Sequence, residues 1–319
     1  MTKRVSTLCV AVFTGLSAFA MQASAQTEEE LIKAQMLKDA GASERVEAAA
    51  LLRVLSQEAA SAACHMANDI ATEEALGLMV EAKGKFSLLL DALQYGNPTL
   101  NIIGEEPRKK TVLKIEALRE EWAPIDAAAV TLLDDPKNAD ALKRIKTDNE
   151  AVLASASTLT SAIAGEYSNP AELVQADVML LDFAGRQAML TQKMAKIACE
   201  IWVGNRGADR LELLTKTMET YELTLRALLD GAPAVGLRAA PTDEIRVALI
   251  SSVADWTGIK ESLNVVLASA DVPDATKSDL FASLNAAMHN MNKIEHKYVV
   301  FSKRSLDTDD SSAEGALLD

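Results

Sequence analysis

The residues best suited to forming a covalent link within this chain are two cysteines, Cys64 and Cys199. They occupy equivalent positions in two similar stretches of sequence, and an alanine precedes each of them. Alanine allows two helices to approach as closely as a disulfide requires, and disulfides persist in oxidising compartments. We therefore expect a disulfide between them. Two buried free thiols that act as small apolar side chains are the alternative.

The other reactive residue types argue against catalysis. The chain has three histidines and lacks the Glu-x-x-His pairs of di-iron bundles, the Cys-x-x-Cys-His of haem attachment and the Gly-x-Ser-x-Gly of hydrolases. Four side chains that suit Cu(I) lie close together in sequence: Met288, His289, Met291 and His296. Methionines at helical spacing usually fill a core, so we favour packing over a copper carrier. The sequence predicts a non-enzyme without cofactor or metal.

The elements that position these residues come from two similar halves of the chain. A shift of 135 positions aligns Ala49, Leu55, Gln57, Ala60, Ala63 and Cys64 with Ala184, Leu190, Gln192, Ala195, Ala198 and Cys199. The same shift aligns Gly96 with Gly231, and a shift shorter by one residue aligns Trp122 with Trp256. A repeat of this length is too long for a solenoid and indicates a duplicated domain.

The composition predicts an all-α fold. Aromatic residues make up only 4% of the chain, and no stretch alternates with a period of two. Clusters of Gly, Pro and Asn divide the halves into helices at about 43–68, 72–95, 108–133 and 138–166, then 170–203, 208–230, 242–270 and 275–303. Four amphipathic helices with short connections favour an antiparallel four-helix bundle. We expect two tandem bundles, 43–166 and 168–303, related by a pseudo-twofold axis.

Both ends of the chain are expected to lie outside the bundles. Lys3 and Arg4, an apolar segment and the small residues Ala23-Ser24-Ala25 are typical of a signal peptide over 1–25, cleaved after Ala25. A retained anchor is the alternative, but the apolar segment is short for one, and no later run could span a membrane. A leading helix or linker follows at 26–42. Residues 304–319 are predicted to form a disordered acidic tail.

The charge of the chain limits its partners. It carries 46 acidic and 32 basic side chains, a formal net charge of −14 at pH 7. Nucleic acids and anionic membranes bind basic surfaces, so neither is an expected partner. With the signal peptide, the charge is consistent with a periplasmic protein.

The first helix of each half carries a stripe of small residues that includes a glutamine and a cysteine. The stripe of the second half is Leu181, Gly185, Ala188, Gln192, Ala195 and Cys199, and that of the first half is Ala50, Arg53, Gln57, Ala60 and Cys64. We expect the two helices to pack against each other as in a covalently linked dimer. Packing of each stripe within its own bundle is the alternative.

A specific motif lies on the first helix of the second half. Its defining residues are Ala184, Gly185, Arg186, Gln187, Met189, Leu190, Thr191, Gln192, Lys193 and Met194. The motif resembles the hallmark of the type IV pilus methyl-accepting chemotaxis transducer N-terminal domain (PilJ-like), which is related to NarX-like nitrate/nitrite sensor domains. The copy at 49–61 lacks the Gly-Arg-Gln and is therefore degenerate. The resemblance implies helical sensor modules whose first helices pair.

The resemblance also implies where a ligand would bind. In NarX-like relatives an arginine three residues after the motif glycine holds the anion, and that position is Arg53 in the first copy but Ala188 in the second. Arg186 is a second possible donor, because a guanidinium donates two parallel hydrogen bonds to a planar anion. The candidate ligand-binding residues are Arg53, Gln57, Arg186, Gln187 and Gln192. A solvated or salt-bridged helix face is the alternative for Arg186 and Lys193.

These features predict an exported, non-catalytic sensor that binds a small anion, nitrate-like or nitrite-like, between its two halves. PilJ-like transducers continue into a membrane span and signalling domains, which this sequence lacks. We therefore expect it to signal through a membrane-anchored signalling or adaptor protein. A structural or adaptor protein without a small ligand is the alternative reading.

Overall fold

A computed structural model describes the backbone of residues 41–167, 172–269 and 271–315, and the side chains of 41–167, 178–269 and 271–303. The predicted signal peptide, residues 26–40 of the leading segment and residues 316–319 of the tail lie outside the described residues. So does the junction between the two halves at 168–171.

The described residues form eight α-helices and no β-strand. They are α1 (Ala42–Ala67), α2 (Thr72–Tyr95), α3 (Lys109–Asp134), α4 (Ala139–Tyr167), α5 (Glu172–Trp202), α6 (Ala208–Asp230), α7 (Asp243–Ala268) and α8 (Asp274–Gly315). The prediction of an all-α fold is confirmed. Within this part of the chain, none of the helices combines the length and apolar character needed to cross a bilayer.

Seven of these helices begin and end within two residues of the predicted positions. The exception is α8, which continues past residue 303 to Gly315 and into the segment predicted to be disordered. The backbone is helical as far as Gly315, and the disordered acidic tail over 304–319 stays a prediction. This segment contains neither glycine nor proline before Gly315, so nothing in its sequence ends the preceding helix.

The helices pack as two groups of four around α1 and α5. Helix α1 contacts α2 and α4, and α3 packs on α4, whereas α5 contacts α6 and α8, and α7 packs on α8. A tryptophan is buried in each group: Trp122 stacks on Phe86 with ring centroids 3.9 Å apart, and Trp256 lies 4.6 Å from Tyr221. Both groups bury their apolar stripes in this way, as expected for helical bundles.

The connection after the second helix has the same form in both groups. Gly96 and Gly231 end α2 and α6 with φ of 84° and 83°, a backbone conformation that favours glycine. A Cβ at Gly96 would lie 2.7 Å from the oxygen of Gly104, and one at Gly231 would lie 2.9 Å from the nitrogen of Ala239. Each glycine therefore permits both the turn and the close backbone approach that closes the connection.

Candidate functional site: the paired helices α1 and α5

The most extensive contact between helices joins α1 to α5, which run parallel. Ala50 faces Gly185, where an added Cβ would lie 2.9 Å from the Ala50 Cβ and 2.7 Å from the Glu295 Oε1. The glycine therefore leaves room both for α1 and for a carboxyl group from α8. The small-residue stripes face each other, as expected, rather than packing only within their own bundles.

Cys64 and Cys199 form a disulfide across this contact, with Cα atoms 6.2 Å apart. The Cα distance lies in the range that disulfides require, because alanines line both helices here. Ala63 and Ala198 are buried next to the two cysteines and keep the helix backbones close. A cavity of about 180 Å³, lined in part by Cys64 and Lys196, adjoins the bond between α1, α4 and α5.

The two candidate arginines bind the same carboxylate. The Arg53 guanidinium donates to Asp182 Oδ1 over 2.7 Å, and Arg186 Nε donates to Asp182 Oδ2 over 2.9 Å. Arg53 is buried, whereas the Arg186 side chain is 49% exposed. The structure thus brings Arg53 and Arg186 together, as an anion site would need, and an acidic side chain of the protein occupies both.

Gln57 belongs to a buried polar cluster that joins the halves. Its Nε2 donates to Asn149 Oδ1 over 3.0 Å, and its Oε1 accepts a bond of 2.7 Å from Lys196 Nζ of α5. Lys196 Nζ also donates to Asn149 Oδ1 over 2.8 Å and forms an ion pair with Glu150. Burial lowers the pKa of the Lys196 ammonium, and the Glu150 carboxylate opposes that effect. Gln57 is therefore a structural partner of Lys196 and lies apart from the arginine pair.

The remaining two glutamines have different surroundings. Gln192 Nε2 donates to Asn285 Oδ1 over 2.8 Å, and Asn285 in turn donates to Glu74 over 2.7 Å. Gln187 is fully buried, and neither polar atom of its amide has a partner among the described residues. The five predicted ligand-binding residues therefore fall into separate groups, of which only Arg53 and Arg186 share a contact.

Residues 175–280 match the family model described as "Type IV pili methyl-accepting chemotaxis transducer N-term" (PilJ). This segment is PilJ-like. It begins near the start of α5, whose motif residues Gly185 and Gln192 make the contacts described above, and it ends within α8. A search of curated proteins found no significant sequence match. Residues 175–280 are thus similar to the N-terminal domain of type IV pilus chemotaxis transducers.

A second cleft lies between α1, α2 and α8. Its volume is about 780 Å³, and its lining includes Glu58 and Glu295. Burial raises the pKa of Glu58 to about 8, with a further increase from Glu81 and an opposing effect of Lys85. Burial also raises the pKa of Glu295 well above its ordinary value. The Glu58 carboxyl is therefore mostly protonated at pH 7 in the free protein.

The four side chains that suit Cu(I) differ in their surroundings. Met288 and Met291 are buried in the core, while His289 is exposed and His296 binds Glu47 over 3.1 Å. Within the described residues, no group of three or more His, Cys, Asp or Glu side chains is arranged to hold a metal.

Several residues that shape these sites were not predicted from the sequence. Asp182 and Lys196 belong to the stretch around the motif, but a charged residue on a helix is usually solvated, and the spacing gave no sign of their partners. Glu58 and Glu295 were missed for the same reason. A signal was available for Glu58, because it lies one residue after Gln57 on a helix that is apolar around most of its circumference.

Proposed function

We propose that the protein is an exported, non-catalytic sensory module whose two halves act as a covalently joined dimer. The observation that carries the proposal is the position of the PilJ-like motif, on the helix that packs most extensively against the other half. A ligand bound there would contact both halves at once. The disulfide supports an oxidising compartment, and we propose the periplasm.

The proposed ligand is a small planar anion held by Arg53 and Arg186. Because Asp182 already accepts hydrogen bonds from both, an anion would have to replace this carboxylate. Binding of the anion would therefore free Asp182 and alter the contact between α1 and α5. A nitrate-like or nitrite-like anion has the geometry for this exchange, since its oxygens can accept parallel bonds from a guanidinium.

A thermal-shift series with sodium nitrate and nitrite, against chloride at equal ionic strength, tests this proposal. A specific ligand raises the melting temperature by mass action. Replacement of both arginines, Arg53→Ala with Arg186→Ala, should abolish the shift. Asp182→Asn should enlarge it, because the neutral amide no longer competes with the anion. A shift that persists in the double variant would place the anion elsewhere.

The second candidate is an adaptor protein that binds no small ligand. The shared contact with Asp182 favours it, because this carboxylate already accepts hydrogen bonds from both guanidinium groups and competes with an anion. The acidic character of the chain would serve contact with a basic region of a membrane-anchored signalling partner. No shift with either anion, in the wild type or in Asp182→Asn, would support this second candidate.

A further inference from the structure

The cleft between α1, α2 and α8 has the size of a small-molecule site. Its volume of about 780 Å³ falls within the range of about 300–1,000 Å³ that is usual for such sites. Three helices contribute to its wall, so a ligand in it would contact the first group of helices through α1 and α2 and the second through α8. Glu295 of the cleft faces Arg53 and Asp182, whereas Glu58 faces neither, and the inference below concerns Glu58 and does not depend on the proposed anion site.

The buried polar atoms of this cleft that lack partners are oxygens, and a carboxyl oxygen becomes an acceptor only when the group is ionised. Glu58 Oε1, Glu295 Oε1 and Asn292 Oδ1 are buried, and none has a hydrogen-bond partner among the described residues. Glu58 is only 1% exposed and Glu295 only 2%. A buried acceptor without a partner costs free energy, so these oxygens favour a ligand that brings donors.

The rest of the lining determines the shape and polarity of that ligand. Leu51, Leu55 and Met288 form an apolar part of the wall, which suits a hydrocarbon portion. The carboxyl groups are not arranged to hold a metal ion, since none of the described residues form such a group. The cleft therefore fits an organic molecule with a hydrogen-bond donor at one end and an apolar body.

The basic residues at the edge of the cleft have acidic partners of their own or lie in solvent. Lys85 Nζ lies 2.5 Å from Glu81, His296 binds Glu47, and Lys297 forms an ion pair with Glu244. Lys293 and His289 are exposed, so water screens their charges. The buried floor of the cleft thus presents acceptors, and the cations remain outside it.

We propose that this cleft binds a small protonated organic amine, whose ammonium group donates to Glu58 while its hydrocarbon chain packs on Leu55 and Met288. An ammonium has three donors and no acceptor, which complements the unpartnered oxygens. A charge-assisted bond between ammonium and carboxylate is roughly twice as strong as a neutral one.

Binding of the ammonium group changes the protonation state of Glu58. In the free protein Glu58 is neutral near pH 7, because burial raises its pKa to about 8. The groups that face the two carboxyls are Glu47, Arg53, Glu81, Lys85 and Asp182. An ammonium ion stabilises the ionised carboxylate, so its arrival lowers the pKa and releases a proton to the solvent. The amine keeps its own proton throughout.

Calorimetric titration of the whole chain with n-hexylamine at about pH 7 tests the proposal. We expect saturable binding whose heat differs between phosphate and Tris buffers, because the buffer takes up the released proton and the two buffers differ in their heat of protonation. 1-Hexanol has the same hydrocarbon chain without the charge and should bind more weakly by about tenfold or more. Glu58→Gln should weaken n-hexylamine binding by a similar factor. Glu212→Gln, which removes the same charge at a fully exposed position, should leave it unchanged.

Two results would overturn the proposal. One is the absence of n-hexylamine binding at millimolar concentration, and the other is equal binding of n-hexylamine and 1-hexanol, which would indicate an apolar cleft only. Neither result bears on the anion series, because Glu58 does not contact Arg53 or Arg186.

Discussion

Helices α1 and α5 occupy equivalent places in the two halves, and the polar residues on them differ. Positions 135 residues apart carry Glu58 and Lys193, or Ser61 and Lys196, on otherwise matching helices. At these positions the buried ionisable group is the acid Glu58 in α1 and the base Lys196 in α5. The two helices pack on each other through small residues that occur in both. Their polar side chains differ at equivalent positions, so each helix contributes to a different polar site.

Both helices carry a buried glutamine that holds the helix to its own bundle. Gln57 donates to Asn149 over 3.0 Å in the first half, and Gln192 donates to Asn285 over 2.8 Å in the second. Both bonds run from the first helix of the group to the fourth. The comparison indicates that buried amide pairs fix the bundle geometry, while charged positions were free to diverge. Three variants test this division, in order of decreasing expected effect.

The disulfide is the strongest link between the two equivalent helices. Cys64→Ala combined with Cys199→Ala removes a bridge between residues 135 positions apart, for which chain entropy suggests a loss of about 4–5 kcal/mol in unfolding free energy. Denaturant unfolding measures the loss, and the wild type under reducing conditions should match the double variant. Thiol titration of the denatured, unreduced protein should find no free thiol from these residues. Two free thiols would refute the bridge.

The buried acid of α1 should make stability depend on pH in a way that no residue of α5 reproduces. Because the folded-state pKa of Glu58 is raised to about 8, the folded state holds a proton that the unfolded state loses above its ordinary value of 4.5. Stability therefore falls as pH rises through this window and levels off above it. Glu58→Gln removes this contribution, so the variant should exceed the wild type by up to about 3 kcal/mol near pH 7.

The measurement is the difference in unfolding free energy between variant and wild type from acid to mildly alkaline pH. The difference should be near zero below the ordinary pKa of a glutamate and should grow as pH rises. Glu212→Gln is the control, because the hydrogen bond from Lys216 and its charge lower the pKa of this exposed carboxyl. Its difference curve should be flat over the same window. A flat curve for Glu58→Gln would show that Glu58 ionises freely in the folded protein.

The close contact between the helices depends on one glycine. Gly185→Ala would place a Cβ 2.7 Å from Glu295 Oε1 and 2.9 Å from the Ala50 Cβ, so it should destabilise the protein by about 1–3 kcal/mol. Gly84→Ala is the matched control within a helix, because a Cβ there meets nothing within 4 Å. The control should gain about 0.5–1 kcal/mol from helix propensity. Equal melting temperatures for the two variants would contradict the close contact.

The sequence predicts the helices well because glycine, proline and asparagine mark their ends. Gly96 and Gly231, for example, stand where a positive φ is needed. The contact between α1 and α5 could also be predicted from the sequence, since small residues recur at helical spacing on both helices. The polar site could not be predicted, because its main feature is the carboxylate of Asp182 between two arginines. Spacing along one helix shows that Asp182 can reach Arg186, but only the packing of α1 brings Arg53 to the same oxygen pair.

Because α1 and α5 run parallel, the disulfide near their C-terminal ends acts as a pivot. Arg45 lies roughly 28 Å along α1 from Cys64, given the rise of about 1.5 Å per residue in an α-helix. A rotation of about 5° at the bond would displace the start of α1 by roughly 2.5 Å relative to α5. A small change in the crossing angle of the two helices therefore produces its largest displacement at the helix ends farthest from the disulfide.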